Sequence, residues 1–243
     1  DPCVVSRQLQ QRGIFLKPYI IGIGMDKKYE EQFGCMGTFY DADNIAGFRN
    51  ALNEVLFESL GTTTVSVELL DANNNRTETN VNISFINRFT GKSDFEFVHY
   101  RDQAGRPDSV EIDPVTDYDI VVNTIPAVRS NNVAIKPGQH NVLEVKAPQG
   151  FIRVQLPGFT EYKNGVLAIV TQVGHQETLT TMQVPGNTKL LMGLYDIEVT
   201  TLPRKTFKNI RIEHNKTTDL QVEQPGLVNI ITNSRGIGSI YEI

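Results

Sequence analysis

Tryptophan is absent from the 243 residues, and cysteine occurs only twice. Without Trp the chain lacks a favoured side chain for stacking on sugars. Two cysteines cannot build the disulfide lattice of a small secreted scaffold. No apolar run approaches the roughly 18 residues that span a bilayer. Positive charge is not in excess, since 23 Lys and Arg against 28 Asp and Glu leave a formal net charge of −5. The cations are scattered rather than gathered into the stripe that nucleic acid requires, so no nucleic-acid partner is expected. An initiator Met and a signal peptide are also lacking. The chain opens Asp1-Pro2-Cys3 and reads as a mature or trimmed piece of something longer, so missing targeting segments mean little.

What the chain does have is a repeat. Tyr118-Asp-Ile-Val-Val-Asn-Thr-Ile-Pro126 returns as Tyr195-Asp-Ile-Glu-Val-Thr-Thr-Leu-Pro203, an offset of 195 − 118 = 77. In the same register Asn132 meets Asn209, Ile135 meets Ile212, Leu143 meets Leu220, Val145 meets Val222 and Pro148 meets Pro225. A match held over several strands and turns indicates two related β-units.

Residues 1–61 differ in character. A helix starts near Asp1-Pro2 and stops at Gly13. The apolar run Pro18–Gly24 suits a parallel strand buried on both faces. Asp26–Phe33 reads as a short helix and Gly37–Tyr40 as a short strand. One of Asp41, Asp43 and Asn44 then caps an amphipathic helix with Ile45, Phe48, Leu52, Val55, Leu56 and Leu60 on one face and Gly61 at its end. This is half of an α/β domain, and two strands with three helices leave sheet edges and helix faces short of partners.

Three features carry a family resemblance here: Asp1-Pro2-Cys3 leading a helix, Lys17-Pro-Tyr-Ile-Ile-Gly-Ile-Gly24, and Gly37-Thr-Phe-Tyr-Asp-Ala-Asp-Asn44 before a last helix. Their order resembles the second half of a von Willebrand factor A (VWA) domain. The resemblance implies adhesive recognition. The family's metal-binding Asp-x-Ser-x-Ser segment and its later ligands would precede Asp1, so no metal ligand is assigned in this chain.

After Gly61, strands alternate at short spacing: Thr62–Leu70, which sets Thr64, Ser66 and Glu68 against Val65, Val67 and Leu69 as a half-buried strand with one polar face, then Asn80–Phe85, Phe95–Tyr100, Ser109–Ile112, Tyr118–Thr124, Asn132–Ile135 and Asn141–Val145. Polar turns and Pro114, Pro126 and Pro137 separate them, as in an antiparallel sandwich. A second set runs from Gly150–Leu156 to Asp219–Val222. Gly226–Thr232 resembles Gly150–Leu156, so residues 226–243 either begin a third unit or complete the second sandwich. The units are similar to carboxypeptidase-regulatory-like, transthyretin-like and PEGA-type modules of bacterial envelope proteins. The expected fold is therefore α+β and multidomain: a partial VWA-like α/β segment (1–61), then β-sandwich units at 62–148 and 149–243.

Chemistry is sparsely signalled. His99, His140, His175 and His214 lack zinc spacing and read as surface or locally hydrogen-bonded residues. Gly22-Ile-Gly24 has Lys27 where a nucleotide fingerprint needs a third Gly. Asp41, Asp43 and Asn44 lack the later ligands of a calcium loop. The pairs Asp117/Asp119 and Glu111/Asp113 could each set an acid beside a base, though an exposed polar face explains them more simply. Asn75, Asn82 and Asn215 head glycosylation sequons of the kind an Asn-rich chain produces by chance. Cys3 and Cys35 are candidates for a disulfide if the protein works outside the cytoplasm, but the sequence favours unpaired thiols or a partner for Cys3 upstream.

No catalytic, cofactor or metal residue is assigned. The function expected is a non-catalytic extracytoplasmic interaction or adhesion protein of the periplasm or cell surface, with a protein or cell-envelope ligand. The rival is the accessory region of a secreted hydrolase or transporter-associated enzyme.

Overall fold

The computed structural model describes residues 2–14, 16, 18–25, 28–158, 162, 164–224, 231, 233 and 235–239. The stretch 226–243, left open between a third unit and a closing strand, lies largely outside them, as do the Asp1 cap and Lys27.

The N-terminal segment runs α1 (Pro2–Gln11), β1 (Tyr19–Ile23), α2 (Lys28–Phe33), β2 (Thr38–Ala42) and α3 (Ile45–Leu60). β1 and β2 pair in parallel, with Tyr19 opposite Thr38 and Ile23 opposite Ala42. Of the three candidate caps, Asn44 starts α3, its Oδ1 accepting from the Gly47 N–H at 2.9 Å. Gly22 is glycine for close packing, because a Cβ there would meet the Phe39 ring at 2.5 Å.

Burial in this segment corrects the expectation for its first strand. Tyr19–Ile21 are half-buried and Ile23 is 64% exposed. Two strands cannot cover one another's faces, and among the described residues of this segment only Ala42 and Ala51 are buried hydrophobic side chains. The apolar face of α3 is open too, with Ile45 and Leu60 each 81% exposed.

The first sandwich has seven strands: β3 (Thr64–Leu70), β4 (Val81–Asn87), β5 (Ser93–His99), β6 (Ser109–Glu111), β7 (Tyr118–Val122), β8 (Val128–Val133) and β9 (His140–Lys146). They form the sheets β6-β3-β9 and β5-β4-β7-β8. The second has β10 (Gln149–Gln155), β11 (Val166–Gln172), β12 (Thr178–Val184), β13 (Gly186–Leu191), β14 (Gly193–Val199), β15 (Lys205–Ile212) and β16 (Thr217–Gln221). Its sheets are β13-β10-β16 and β12-β11-β14-β15. Each strand has its counterpart seven strands on, so Tyr118 and Tyr195 open equivalent central strands.

Alternation explains the register. Tyr118, Ile120 and Val122 turn into one core, and Tyr195, Ile197 and Val199 into the other. A one-residue slip would turn either set to water. The first core gathers Phe85 against Phe95, Phe97 and Tyr118, with ring centroids 6.1–6.5 Å apart. The second is aliphatic, built from Ile152, Val170, Leu190, Ile197 and their neighbours around Tyr195.

Two expectations need correction. The units are mostly but not wholly antiparallel, since β3 pairs with β9, and β10 with β16, in parallel. The first and last strands of each unit lie side by side and point the same way. The strand expected at Asn132–Ile135 is instead β8 (Val128–Val133): it begins earlier, pairs with Tyr118–Val122 across a bulge at Asn132, where φ is 52°, and has its last pair at Val133 and Tyr118.

Candidate functional site

β3 is buried along its length rather than half-buried, and its outer face holds a polar cluster that the sequence pattern did not suggest. Thr64 Oγ1 lies 2.8 Å from His140 Nδ1, and Ser66 Oγ lies 3.1 Å from His140 Nε2. A serine on an imidazole invites a nucleophile reading. Against it, the second ring nitrogen meets a hydroxyl rather than an orienting carboxylate, and Ser66 is only 5% exposed. The cluster is better understood as a tie between the parallel strands β3 and β9.

Beside it Glu68, 8% exposed, is held by Arg101 at 2.8 Å, and Arg76 bridges from Glu68 at 3.8 Å to Glu144 at 2.8 Å. Arg101 also donates to the Gly105 carbonyl. This network lets a carboxylate stand in the middle of a covered strand. Periodicity could not reveal it, because Arg101 comes from 33 residues away.

The joint between the sandwiches is the most developed polar site. Only Ala147 and Pro148 separate β9 from β10, and both are buried. Glu78, 6% exposed, comes from the first unit. It accepts from the backbone N–H of Gln149 at 3.1 Å and from Gln149 Nε2 at 3.3 Å. His214 Nε2 lies 3.2 Å and Lys189 Nζ 3.7 Å from the same carboxylate. Lys189 Nζ also donates to the Thr79 carbonyl. On the other side of the joint the Leu191 N–H donates to the Ile125 carbonyl at 2.7 Å, and the Met192 N–H to the Pro148 carbonyl at 2.8 Å. The contact is also apolar: Leu191 packs on the first core and Ile125 on the second.

The N-terminal segment meets the first unit by close backbone approach. A Cβ on Gly61 would lie 2.7 Å from Gly138 Cα, and Gly138 itself has φ 68°. The Gly138 N–H donates to Thr63 Oγ1 at 2.9 Å. Beside this contact lies a hollow of about 500 Å³, lined in part by Tyr19, Glu58, Thr63, Glu111 and Asp113. Tyr40 donates to Glu58 at 3.3 Å, and burial and the nearby Glu58 charge push its phenol up to about 12.

The remaining sequence candidates are dispersed. Cys3 and Cys35 are bonded, with Cα atoms 5.7 Å apart. The packing of α1 on α2 brings them together, and that proximity is not visible in the sequence. His99 is buried at 1% exposure, not on the surface. Its Nε2–H donates to the Val67 carbonyl at 2.9 Å, and Nδ1 faces Thr79 Oγ1 at 3.2 Å. Asp119 is engaged with the Asn132 N–H and with Arg88 and Arg129. Asp113 turns back to accept from the Val115 N–H. Asn75 is tied to Asp71, whose carboxyl is pushed up by desolvation but held down at about 2 by hydrogen bonds from Asn75, Asn73 and Thr77. Among the described residues no cluster of His, Cys, Asp and Glu could hold a metal ion, and no helix is long and apolar enough to cross a membrane.

No protein-family model matches the chain, and no curated protein matches it. Partial likeness to solved structures exists. A Streptococcal ancillary pilin shares 15% identity over 68% of this chain and 63% of its own, with a TM-score of 0.30. A putative adhesin from Bacteroides ovatus shares 8% identity over 71% and 96% of the two chains, with a TM-score of 0.30. The Bacillus anthracis TIE protein shares 12% identity over 67% of this chain, with a TM-score of 0.26, and this chain spans only 34% of its length.

Proposed function

We propose that this chain is a non-catalytic, extracytoplasmic interaction protein, in which the two sandwiches form a stiff stalk and the VWA-like N-terminal segment carries recognition of a protein or cell-envelope ligand. The joint between the units supports the stalk. A two-residue connection, the buried Glu78 with its partners from the second unit, and the Leu191–Ile125 contact together restrict the orientations the units can take. Units repeated in this way touch their neighbours only and suit a spacer better than a deep catalytic pocket. The disulfide of Cys3 and Cys35 fits an oxidising compartment. The helix–strand–helix–strand–helix order with a parallel strand pair is what the VWA resemblance requires of its second half.

Small-angle scattering of the whole chain tests the stalk. One conformation should fit the native curve, whereas a Glu78→Ala, Leu191→Asp double variant should require an ensemble of unit orientations. A native curve that itself demands such an ensemble removes the reading.

A further inference from the structure

We propose that the trough between the N-terminal segment and the first sandwich docks an extended peptide segment of a partner protein, one that carries Lys or Arg side chains among apolar ones. The inference rests on the recognition reading above and names the chemistry of the ligand. The trough is made of two hollows that share a wall. The first, of about 500 Å³, has Glu58 of α3 on one side and Glu111 and Asp113 of the first sandwich on the other. The second, of about 460 Å³, shares Tyr19, Val115 and Pro137 with it and extends over Leu16, Phe89 and Ile135. One end is therefore acidic and the other is largely apolar.

The acidic end is uncompensated. Among the described residues no Lys, Arg or His lines it, and none forms an ion pair with Glu58, Glu111 or Asp113. Glu58 is half-buried beside two phenols. Tyr40 donates to it at 3.3 Å, and the Tyr19 ring lies 6.4 Å from that of Tyr40. Burial, and then the Glu58 charge, push the Tyr19 phenol up. Both phenols thus stay neutral, and carboxylate charge stands beside aromatic surface with no cation of its own.

Charge complementarity chooses the occupant. A cationic head in the acidic end meets the carboxylates and the face of Tyr19. The aliphatic stem of a Lys or Arg lies along Val115 and Pro137, and its apolar neighbours in the peptide continue over Leu16, Phe89 and Ile135. A bare metal ion is not the occupant, because among the described residues no three carboxylates, imidazoles or thiols come close enough to hold one. Charge spread along a peptide suits carboxylates that are set apart. An acidic segment would be repelled.

The test is selection from a phage-displayed random heptapeptide library on the whole 243-residue chain. Binding of the selected peptides is then compared between the native chain and a Glu58→Gln, Glu111→Gln, Asp113→Asn variant. The amides keep the acceptors that Tyr40 and the Val115 N–H use. The selected peptides should be rich in Lys and Arg and bind the variant at least about tenfold more weakly. Selection of no peptide, or of peptides without an excess of basic residues, overturns the proposal, and so does undiminished binding to the variant. Hydrogen exchange of the native chain with a selected peptide needs no variant and separates the two levels. Protection should appear around Tyr19, Glu58 and residues 111–115. Protection elsewhere within residues 2–60 overturns the trough and leaves the recognition reading standing. Protection confined to the sandwiches away from the trough overturns both.

Discussion

The backbone N–H of Asn132 donates to Asp119 Oδ1 at 2.8 Å, and 77 residues on (209 − 132 = 77) the N–H of Asn209 donates to Asp196 Oδ1 at 2.7 Å. Both asparagines are left-handed, with φ of 52° and 55°. Each sits at the register shift where the central strand pairs with its neighbour. The bulge and its carboxylate clamp are thus a built feature of the unit, made twice.

Left-handed backbone is open to Gly and Asn and costly for β-branched residues. Asn209→Gly should leave stability within about 0.5 kcal/mol, whereas Asn209→Val should cost about 1–2 kcal/mol. Asp196→Ala should cost about 1.5–3 kcal/mol, the worth of a hydrogen bond to a charged acceptor. Urea midpoints of the three variants check the ranking, and equal losses for Gly and Val would discredit the bulge argument.

Glu68 and Arg101 stand or fall together. Arg101→Ala should destabilise the first unit by about 3 kcal/mol, because it leaves a covered carboxylate with only the longer contact to Arg76. Replacing both by Leu and Met should cost much less. Thermal melts of the single and double variants supply the comparison, and additive losses would mean the pair is not coupled.

His99 gives the first unit a pH dependence. Burial pushes its imidazole below the ordinary value, outweighing the Val67 carbonyl hydrogen bond that pulls it up; the nearby Arg101 charge lowers it further. The unfolded chain therefore takes up the proton first, near pH 6.5. Stability holds above that pH and falls as pH drops towards the depressed folded value. Urea unfolding between pH 7.5 and 5.5 should show the fall, and His99→Gln should flatten it. An unchanged slope in the variant would clear His99 of the effect.

Reduction should act locally. The Cys3–Cys35 bond closes a span of 32 residues within the N-terminal segment. Chain-entropy reasoning gives it about 3–4 kcal/mol. Reducing agent should lower the unfolding midpoint of that segment and leave the sandwiches unmoved, as hydrogen exchange resolved by residue can show. Loss of protection in both sandwiches on reduction would contradict this.

Much of the β architecture was legible because burial on a pleated sheet has period two, and Tyr118–Val122 and Tyr195–Val199 write that period plainly. The parallel pairing of β3 with β9 was not legible, since alternation is the same whichever way a neighbour runs. β3 itself misled, because Ser66 and Glu68 read as a solvent face while His140 and Arg101, distant in sequence, cover and satisfy them. Glu78 carries no local signal either, as its partners Gln149, Lys189 and His214 all come from the next unit. The cysteine bond depended on how α1 lies on α2, which no spacing encodes.

The fixed orientation of the two sandwiches is best tested by the distance distribution between spin labels on exposed strand positions, at Val98→Cys in the first unit and Leu167→Cys in the second, with the native disulfide kept intact. The account predicts one narrow distance, broadened when Glu78→Ala and Leu191→Asp are added. A broad distribution in the otherwise native chain, unchanged by those two substitutions, would contradict it.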